Sequence, residues 1–376
     1  MIKLNNGNMI EKVCAAFLLW ATAIVLPAQT TAVAPTVTFT TLHSFDGTDG
    51  VAPHAVLVQG TDGNFYGTTY YAGGSNNCIA GCGTVFRITP DGTLTTLHSF
   101  NGTDGGNPVA GLVQGTDGKF YGTTTQGGAN TCDGFGCGTV FSITSGGILT
   151  TLHSFEGADG DTPSGGLVQG INGKFFGTTS GGGAHGDGTV FSITTGGVLT
   201  TLHNFDGTDG SDPEAALTEG RNGKLYGTTS AGGANLNNGT VFSITAGGIL
   251  TTLDSFSGTD GGLPNGLIQG TDGMFYGTTQ GGGSNLEGTV FSLSVGSGPF
   301  VETNPVASKV EATVTILGTD LTGATKVTFH GIAATFTVVS SSEITTTVPA
   351  GATTGTAKVV TPGGTLSSNV PFQVLP

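Results

Sequence analysis

Basic residues are scarce. The chain of 376 residues has ten Lys plus Arg against 25 Asp plus Glu, a formal net charge of −15 and a pI near 4.5. Such a surface repels phosphate backbones and anionic headgroups, which argues against nucleic acid or a membrane surface as a partner. No nucleophile elbow, phosphate loop or HExxH motif occurs, so the short signatures of α/β-hydrolases, NTPases and zinc proteases are missing, and no cofactor is implied. Glycine, by contrast, is abundant. The 69 Gly and 14 Pro exclude a helical bundle and fall just short of a disordered low-complexity composition. They also recur at fixed intervals, which makes them turn markers.

Only one long apolar run is present. Lys3 and Lys12 precede the stretch VCAAFLLWATAIVL (residues 13–26), and small residues follow around Ala28. This pattern reads as a secretory signal peptide over residues 1–28, and the run is too short for a membrane span of about 20 residues. A secreted or cell-surface protein with no membrane span after cleavage is expected. Cys14 leaves with the signal, so four cysteines remain: Cys78 and Cys82, Cys132 and Cys137. An oxidising compartment, and the equivalent placement of the pairs in separate repeats, favour two short disulfides over a zinc site built from both pairs.

The body repeats itself. TTLHSF or a close variant ends at Phe45, Phe100, Phe155, Phe205 and Phe256, and GTVF begins at Gly83, Gly138, Gly188, Gly239 and Gly288. Between them lie an Asp-Gly loop, a short GLVQG-like segment, a TDG-like turn and FYGTT or a variant. Thr, Val, Phe and Tyr between Gly turns predict strands, and four short strands per period of roughly 50 residues predict a propeller or a stacked β array. The phase selects between the two. One TLHSF strand (residues 37–45) stands alone at the start, and none follows the fifth GTVF (residues 288–293). Pairing of the first strand with the last would complete a fifth blade and remove the free sheet edges. The expectation is an all-β, five-bladed, propeller-like domain over residues 36–295, closed by the N-terminal strand.

These YGTT, GG, GTVF and LHSF elements resemble the GloVer tandem repeat of large secreted or surface-attached bacterial proteins, a likeness covering residues 39–294. It implies an extracellular repeat protein and carries over no catalytic residues. After the Gly-Ser-Gly-Pro segment at residues 296–299, Thr and Val alternate without the repeat, as in VTILGTDLTGATKVTFHG from Val314. Short alternating strands with frequent turns predict a β-sandwich. The segment resembles an IPT/TIG domain over residues 299–376, which implies an immunoglobulin-like fold and an accessory or spacer role.

Strand alternation should place the TDG and PDG turns on one face and the Asp-Gly and Gly-Gly loops on the other. The loops vary on that second face. Tyr70 and Tyr71 stand where other repeats have Thr125 and Gln126 or Ser180 and Gly181; Phe135 lies between Cys132 and Cys137, and His185 accompanies Asp187. A constant framework with a variable rim suits binding, and aromatic faces with Asn or Asp groups suit sugars. The sequence therefore predicts a non-enzymatic binding or adhesion protein, with an extracellular glycan or surface protein as partner. Solvated loops on a purely structural spacer are the alternative. A glycan-processing enzyme is the third, and would require Glu214 and Glu219 to face one pocket at roughly 5–9.5 Å; a surface ion pair involving Glu214, Glu219 and Arg221 is the simpler expectation. Asp49, Asp104, Asp159, Asp209 and Asp260 recur in the crossing loops. Calcium would suit their carboxylates, but turn-capping explains the recurrence with less. His43, His98, His153 and His203 are expected to pack between blades.

Overall fold

The computed structural model describes residues 38–74, 78, 80–132, 134–235 and 237–375. The expected signal segment, residues 1–28, and Val37 lie outside the described residues. Among those described, residues 42–375 belong to one compact unit, built of strands without a helix.

In repeat one, Val58–Gln59, Phe65–Thr69, Thr84–Ile88 and Leu94–Ser99 pair in that order as an antiparallel sheet, from inner to outer strand. Repeats two to four copy it, running from Val113–Gln114 to Leu149–Ser154, from Val168–Gln169 to Leu199–Asn204 and from Thr218–Glu219 to Leu250–Ser255. The motifs are framework chemistry. In FYGTT the glycine is needed because a Cβ on Gly122 would lie 2.8 Å from both Leu112 and Phe141, which cross over it. The last threonine of that strand meets the first of GTVF: Thr124 and Thr139 share a buried hydroxyl contact of 2.9 Å, repeated by Thr179 with Thr189 and Thr229 with Thr240. The GTVF glycine sits at positive φ, +88° at Gly138, where a Cβ would come within 2.3 Å of the Thr124 carbonyl oxygen. These buried threonine hydroxyls thus find partners, as a water-free interior requires.

Adjacent repeats are joined by a recurring interface. Tyr66 stacks on Phe120 at 3.9 Å, Tyr121 on Phe175 at 4.0 Å, and Tyr226 packs on Phe275 at 4.1 Å. A threonine hydroxyl bonds the next repeat's carbonyl, Thr123 to Gly165 at 3.4 Å for instance, and a turn N–H donates to the next repeat's glutamine, Thr116 to Gln169 at 3.0 Å. The terminal Phe of each outer strand packs edge-on against the following repeat, as Phe100 does on Phe141 at 5.2 Å. Apolar clusters consequently lie between sheets, one per junction. That is propeller-like packing, in which each blade buries its faces against its neighbours.

Ring closure is where sequence and structure part. The fifth sheet has three strands, Gly262–Gln269, Phe275–Gly281 and Thr289–Leu293, and among the described residues no fourth strand joins it. Residues 42–45 form no ladder. Phe45 keeps the other half of an outer strand's role, lying edge-on to Phe86 at 5.3 Å. That packing does not depend on a ladder to repeat five, so it anchors the segment on repeat one without completing the fifth blade.

The C-terminal domain is the expected sandwich. One sheet orders Val301–Asn304, Thr313–Gly318, Glu343–Thr347 and Phe336–Ser340; the other orders Ile332–Ala334, Lys326–Phe329, Ala357–Thr361 and Gly364–Ser367. Val314, Ile316, Val327, Phe329, Ile344 and Val359 fill the space between. Its entry is clamped to the TDG-turn side of the repeats: the Arg221 guanidinium donates to the Pro299 carbonyl at 2.6 Å, lies 6.0 Å above the Phe300 ring, and the Phe300 N–H donates to the Thr271 carbonyl at 2.8 Å. The sandwich therefore leaves the opposite, loop-bearing face uncovered.

Candidate functional site

The register Thr69, Thr84, Ser99 across repeat one places the ends of three strands at one level, so the loops leaving them share a face. On that face, where repeats one, two and three meet, lies a hollow of about 310 Å³ lined by Tyr70, Thr125, Gln126, Phe135, Asp161 and Ser164, among others. Its size is at the small end of ligand sites, roughly 300–1,000 Å³.

Each wall has a local cause. Tyr70 directly follows the FYGTT strand of repeat one and packs edge-on against His54 at 5.4 Å and Tyr71 at 4.3 Å. Burial pushes the Tyr70 phenol above its ordinary value, and neighbouring Tyr71 adds to this against an opposing Thr125 hydroxyl, so the phenol stays neutral at physiological pH. Behind it, the Asn107 amide donates to the Tyr70 carbonyl at 3.0 Å and the Thr125 hydroxyl to the Asn107 carbonyl at 2.8 Å. Phe135 is presented by a stapled loop: Cys132 and Cys137 form a disulfide, the Phe135 N–H donates to the Cys132 carbonyl at 3.1 Å, and the Phe135 carbonyl accepts the Gly127 N–H at 2.9 Å. The side chain remains 57% exposed, an aromatic face held out to solvent. The Asp161 carboxylate accepts the Thr162 hydroxyl on Oδ1 at 2.9 Å. Cys78 and Cys82 form the second disulfide.

Tyr70 and Phe135, predicted as binding residues, are thus brought together. Tyr71 stands beside Tyr70 but outside the lining, and His185 and Asp187 belong to the repeat-three loop, also outside it. There Asp187 accepts the Asp212 N–H on its backbone carbonyl at 3.1 Å; burial, then the Asp187 charge, raise the Asp212 carboxyl above its ordinary value.

Asp161 and Ser164 were missed by sequence reasoning. Their signal lay inside the crossing loop: between the constant DG and LVQG, positions 51, 106, 161, 211 and 262 read Val, Gly, Asp, Ser and Gly, and positions 54, 109, 164, 214 and 265 read His, Val, Ser, Glu and Asn. The intervening residues, Ala52, Asn107, Thr162, Asp212 and Leu263, all hold φ between 53° and 58°, and Pro108, Pro163, Pro213 and Pro264 pack against the preceding repeat's GTVF glycine. The backbone is fixed while its side chains vary.

The recurrent Asp and His residues have framework partners. His43, His98, His153 and His203 place Nε2 within 2.6–2.8 Å of Oδ2 of Asp49, Asp104, Asp159 and Asp209, rather than packing between blades as expected. The other oxygen of each carboxylate accepts a loop N–H, from Asp46, Asn101, Glu156 or Asp206, and Asp260 does the same for Ser257. Among the described residues, the one cluster with metal-ligating atoms close together is Cys132, Cys137 and Asp161, and its sulfurs are bonded to each other.

Nor do Glu214, Glu219 and Arg221 form the expected ion pair: the ion pairs among the described residues are the four His–Asp contacts. Arg221 is drawn to the Pro299 carbonyl instead. Glu219 lines a separate hollow of about 210 Å³ with Gly170, Ile171, Phe176 and Leu225, and Glu214 is not part of it.

Among solved structures, the chain is similar to a Bacteroides uniformis protein provisionally named a 6-phosphogluconolactonase, at 13% identity over 85% of this chain and 87% of that one, with a TM-score of 0.41. It is also similar to a gluconolactonase from Xanthomonas campestris, at 12% identity over 80% and 88%, with a TM-score of 0.40. Likenesses this weak carry no argument about activity. No curated protein matches. The IPT/TIG family matches residues 301–374, and the Gloeobacter/Verrucomicrobia repeat matches residues 30–237 and 218–324. With most of its length matched by that repeat, the chain belongs to the Gloeobacter/Verrucomicrobia repeat family and carries a C-terminal IPT/TIG domain.

Proposed function

We propose that this is a secreted or cell-surface binding protein, without enzymatic activity, that takes extracellular glycans on its variable loop face. The observation carrying the reading is the hollow between repeats one, two and three. Tyr70 and Phe135 supply apolar faces for the C–H side of a sugar ring, and Asp161, Gln126 and Ser164 supply acceptors and donors for hydroxyls. The disulfide holds Phe135 in place before ligand arrives, so little ordering free energy is lost on binding. Framework residues meanwhile are occupied with one another. The His–Asp contacts and the threonine pairs are internal hydrogen bonds that a ligand would have to break. Glu219 lines its hollow without Glu214, so a paired-carboxylate glycosidase reading gains no support from that hollow.

A glycan-array screen of the secreted chain tests the proposal. Retention of a restricted set of related glycans is the expected outcome. An array on which nothing is retained would leave the spacer reading in its place, and turnover of an arrayed sugar would replace it with the enzyme reading.

A further inference from the structure

The two ends of the repeat array carry the two halves of one interface. At the trailing end, Val290 of the third strand is 80% exposed where Val140 and Val190 are fully buried, and Thr278 is exposed where Thr123 is buried against the next repeat. The strand Thr289–Leu293 has no outer neighbour among the described residues. At the leading end, Leu57 is 50% exposed where Leu112 is 7% exposed, and Val56 is exposed beside it. An apolar groove of about 450 Å³ runs there between Leu42, Phe45, Leu57, Phe65 and Phe86. Terminal repeats of arrays normally carry polar outer faces, and unpaired edges are normally blunted. Among the described residues, the Thr289–Leu293 edge carries no charge or proline, and Val290, Val56 and Leu57 stay exposed on the two end faces.

We infer that a second copy of this chain docks head to tail, with the leading face of its repeat one on the trailing face of repeat five. The interface is already established within the chain, made at each of the four junctions between consecutive repeats, and each partner group is present at the free ends. Thr278 is positioned as Thr123 is, to donate to the carbonyl at residue 55 of the second copy as Thr68 does to Ala110 at 3.3 Å. Tyr276 takes the place of Tyr66 and would meet Phe65 as Tyr66 meets Phe120. The N-terminal segment FTTLHS (residues 39–44) matches the outer strands LTTLHS, and would add to Thr289–Leu293 by strand augmentation. In the other repeats the register pairs Ser142 with Thr150, Ser192 with Thr200 and Ser243 with Thr251; it therefore sets Ser292 opposite Thr40 of the second copy. Because the contact is heterologous, each docking event leaves one free end of each kind, and assembly continues until a ring closes or a filament forms.

Paired cysteines test this without touching the core, since Thr40 and Ser292 are both exposed. Thr40→Cys and Ser292→Cys chains, each inert alone, should form a covalent dimer when mixed under mild oxidation, and the double variant should form a ladder of covalent oligomers. Sedimentation of the wild type should show a mass that rises with concentration, and Val290→Lys should abolish that rise. A double variant that cross-links only within single chains would mean that the repeats close on themselves and would overturn the inference. So would a wild type that stays monomeric at every concentration with no cross-link formed.

Discussion

Replacing Glu219 by Gln should stabilise the protein, most at neutral pH. In repeats one, two, three and five the residue at this place is glutamine, and its amide donates to the carbonyl of its own turn: Gln59 to Gly63 at 3.3 Å, Gln114 to Gly118 at 3.1 Å, Gln169 to Gly173 at 3.2 Å and Gln269 to Gly273 at 3.1 Å. Its oxygen accepts the preceding repeat's turn N–H at 3.0 Å, from Thr61, Thr116 and Arg221 in turn. Glu219 keeps only the second contact, stretched to 3.5 Å from Ile171, and an ionised carboxylate has no proton for the Gly223 carbonyl. Burial pushes this carboxyl above its ordinary 4.5, against the opposing Ile171 N–H. A carboxyl whose folded pKa exceeds its unfolded value holds its proton more tightly when folded. Its contribution to stability is therefore complete below about pH 4.5 and is lost as the pH rises through the folded value. Glu219→Gln restores one hydrogen bond, a net gain of about 1 kcal/mol, which for a domain of this size is roughly 2–4 °C in Tm. Calorimetry at pH 7.5 and pH 4 measures it. The gain should be largest at pH 7.5 and shrink at pH 4, where protonated Glu219 can itself donate. No gain at pH 7.5, or an equal gain at both, would refute the reasoning.

Three further outcomes are expected. Gly138→Ala, at φ +88° with the Thr124 carbonyl 2.3 Å from the added carbon, should cost about 1–3 kcal/mol in thermal unfolding; an unchanged melt would contradict the framework role given to that glycine. Cys132→Ser with Cys137→Ser opens a closed loop of sequence separation 5 and should cost about 2 kcal/mol by loop entropy, while mass spectrometry of the wild type should find Cys78–Cys82 and Cys132–Cys137 bridges and no crosslink between the pairs. Arg221→Ala removes the contacts to Pro299 and Phe300, and limited proteolysis should then cut faster between residues 296 and 299; an unaltered rate would show that the clamp is held by other contacts.

Repeat architecture was legible in the sequence because the residues that build it do the same work five times. A glycine that must cross a phenyl ring, or a threonine that must meet another threonine, recurs at a fixed interval, as Gly67, Gly122, Gly177, Gly227 and Gly277 do. The disulfides were legible for the related reason that insertions break the repeat at equivalent places. Closure was not legible, because phase says which strand is missing and not which copy or segment supplies it. Half the hollow was visible: Tyr70 and Phe135 stand out as aromatics in otherwise polar loops. Asp161 and Ser164 escaped because they lie in a crossing loop dominated by constant Asp, Gly and Pro, and only the conformation of Thr162, at φ 55°, turns their side chains toward the neighbouring repeat. The roles of the histidines escaped because strand alternation places a side chain on a face without saying that an Asp six residues on reaches back to it.

The claim that the loop face binds through Tyr70 and Phe135 is tested most directly by probing one glycan array with the wild type and a Tyr70→Ala, Phe135→Ala double variant side by side, after confirming equal melting temperatures. An aromatic anchor that a ligand covers is worth about 2 kcal/mol or more, so the double variant, losing about 4 kcal/mol, should bind every glycan the wild type retains roughly 1,000-fold more weakly, and at least roughly 30-fold more weakly if only one of the two rings is an anchor. Equal binding by the two proteins would contradict the account.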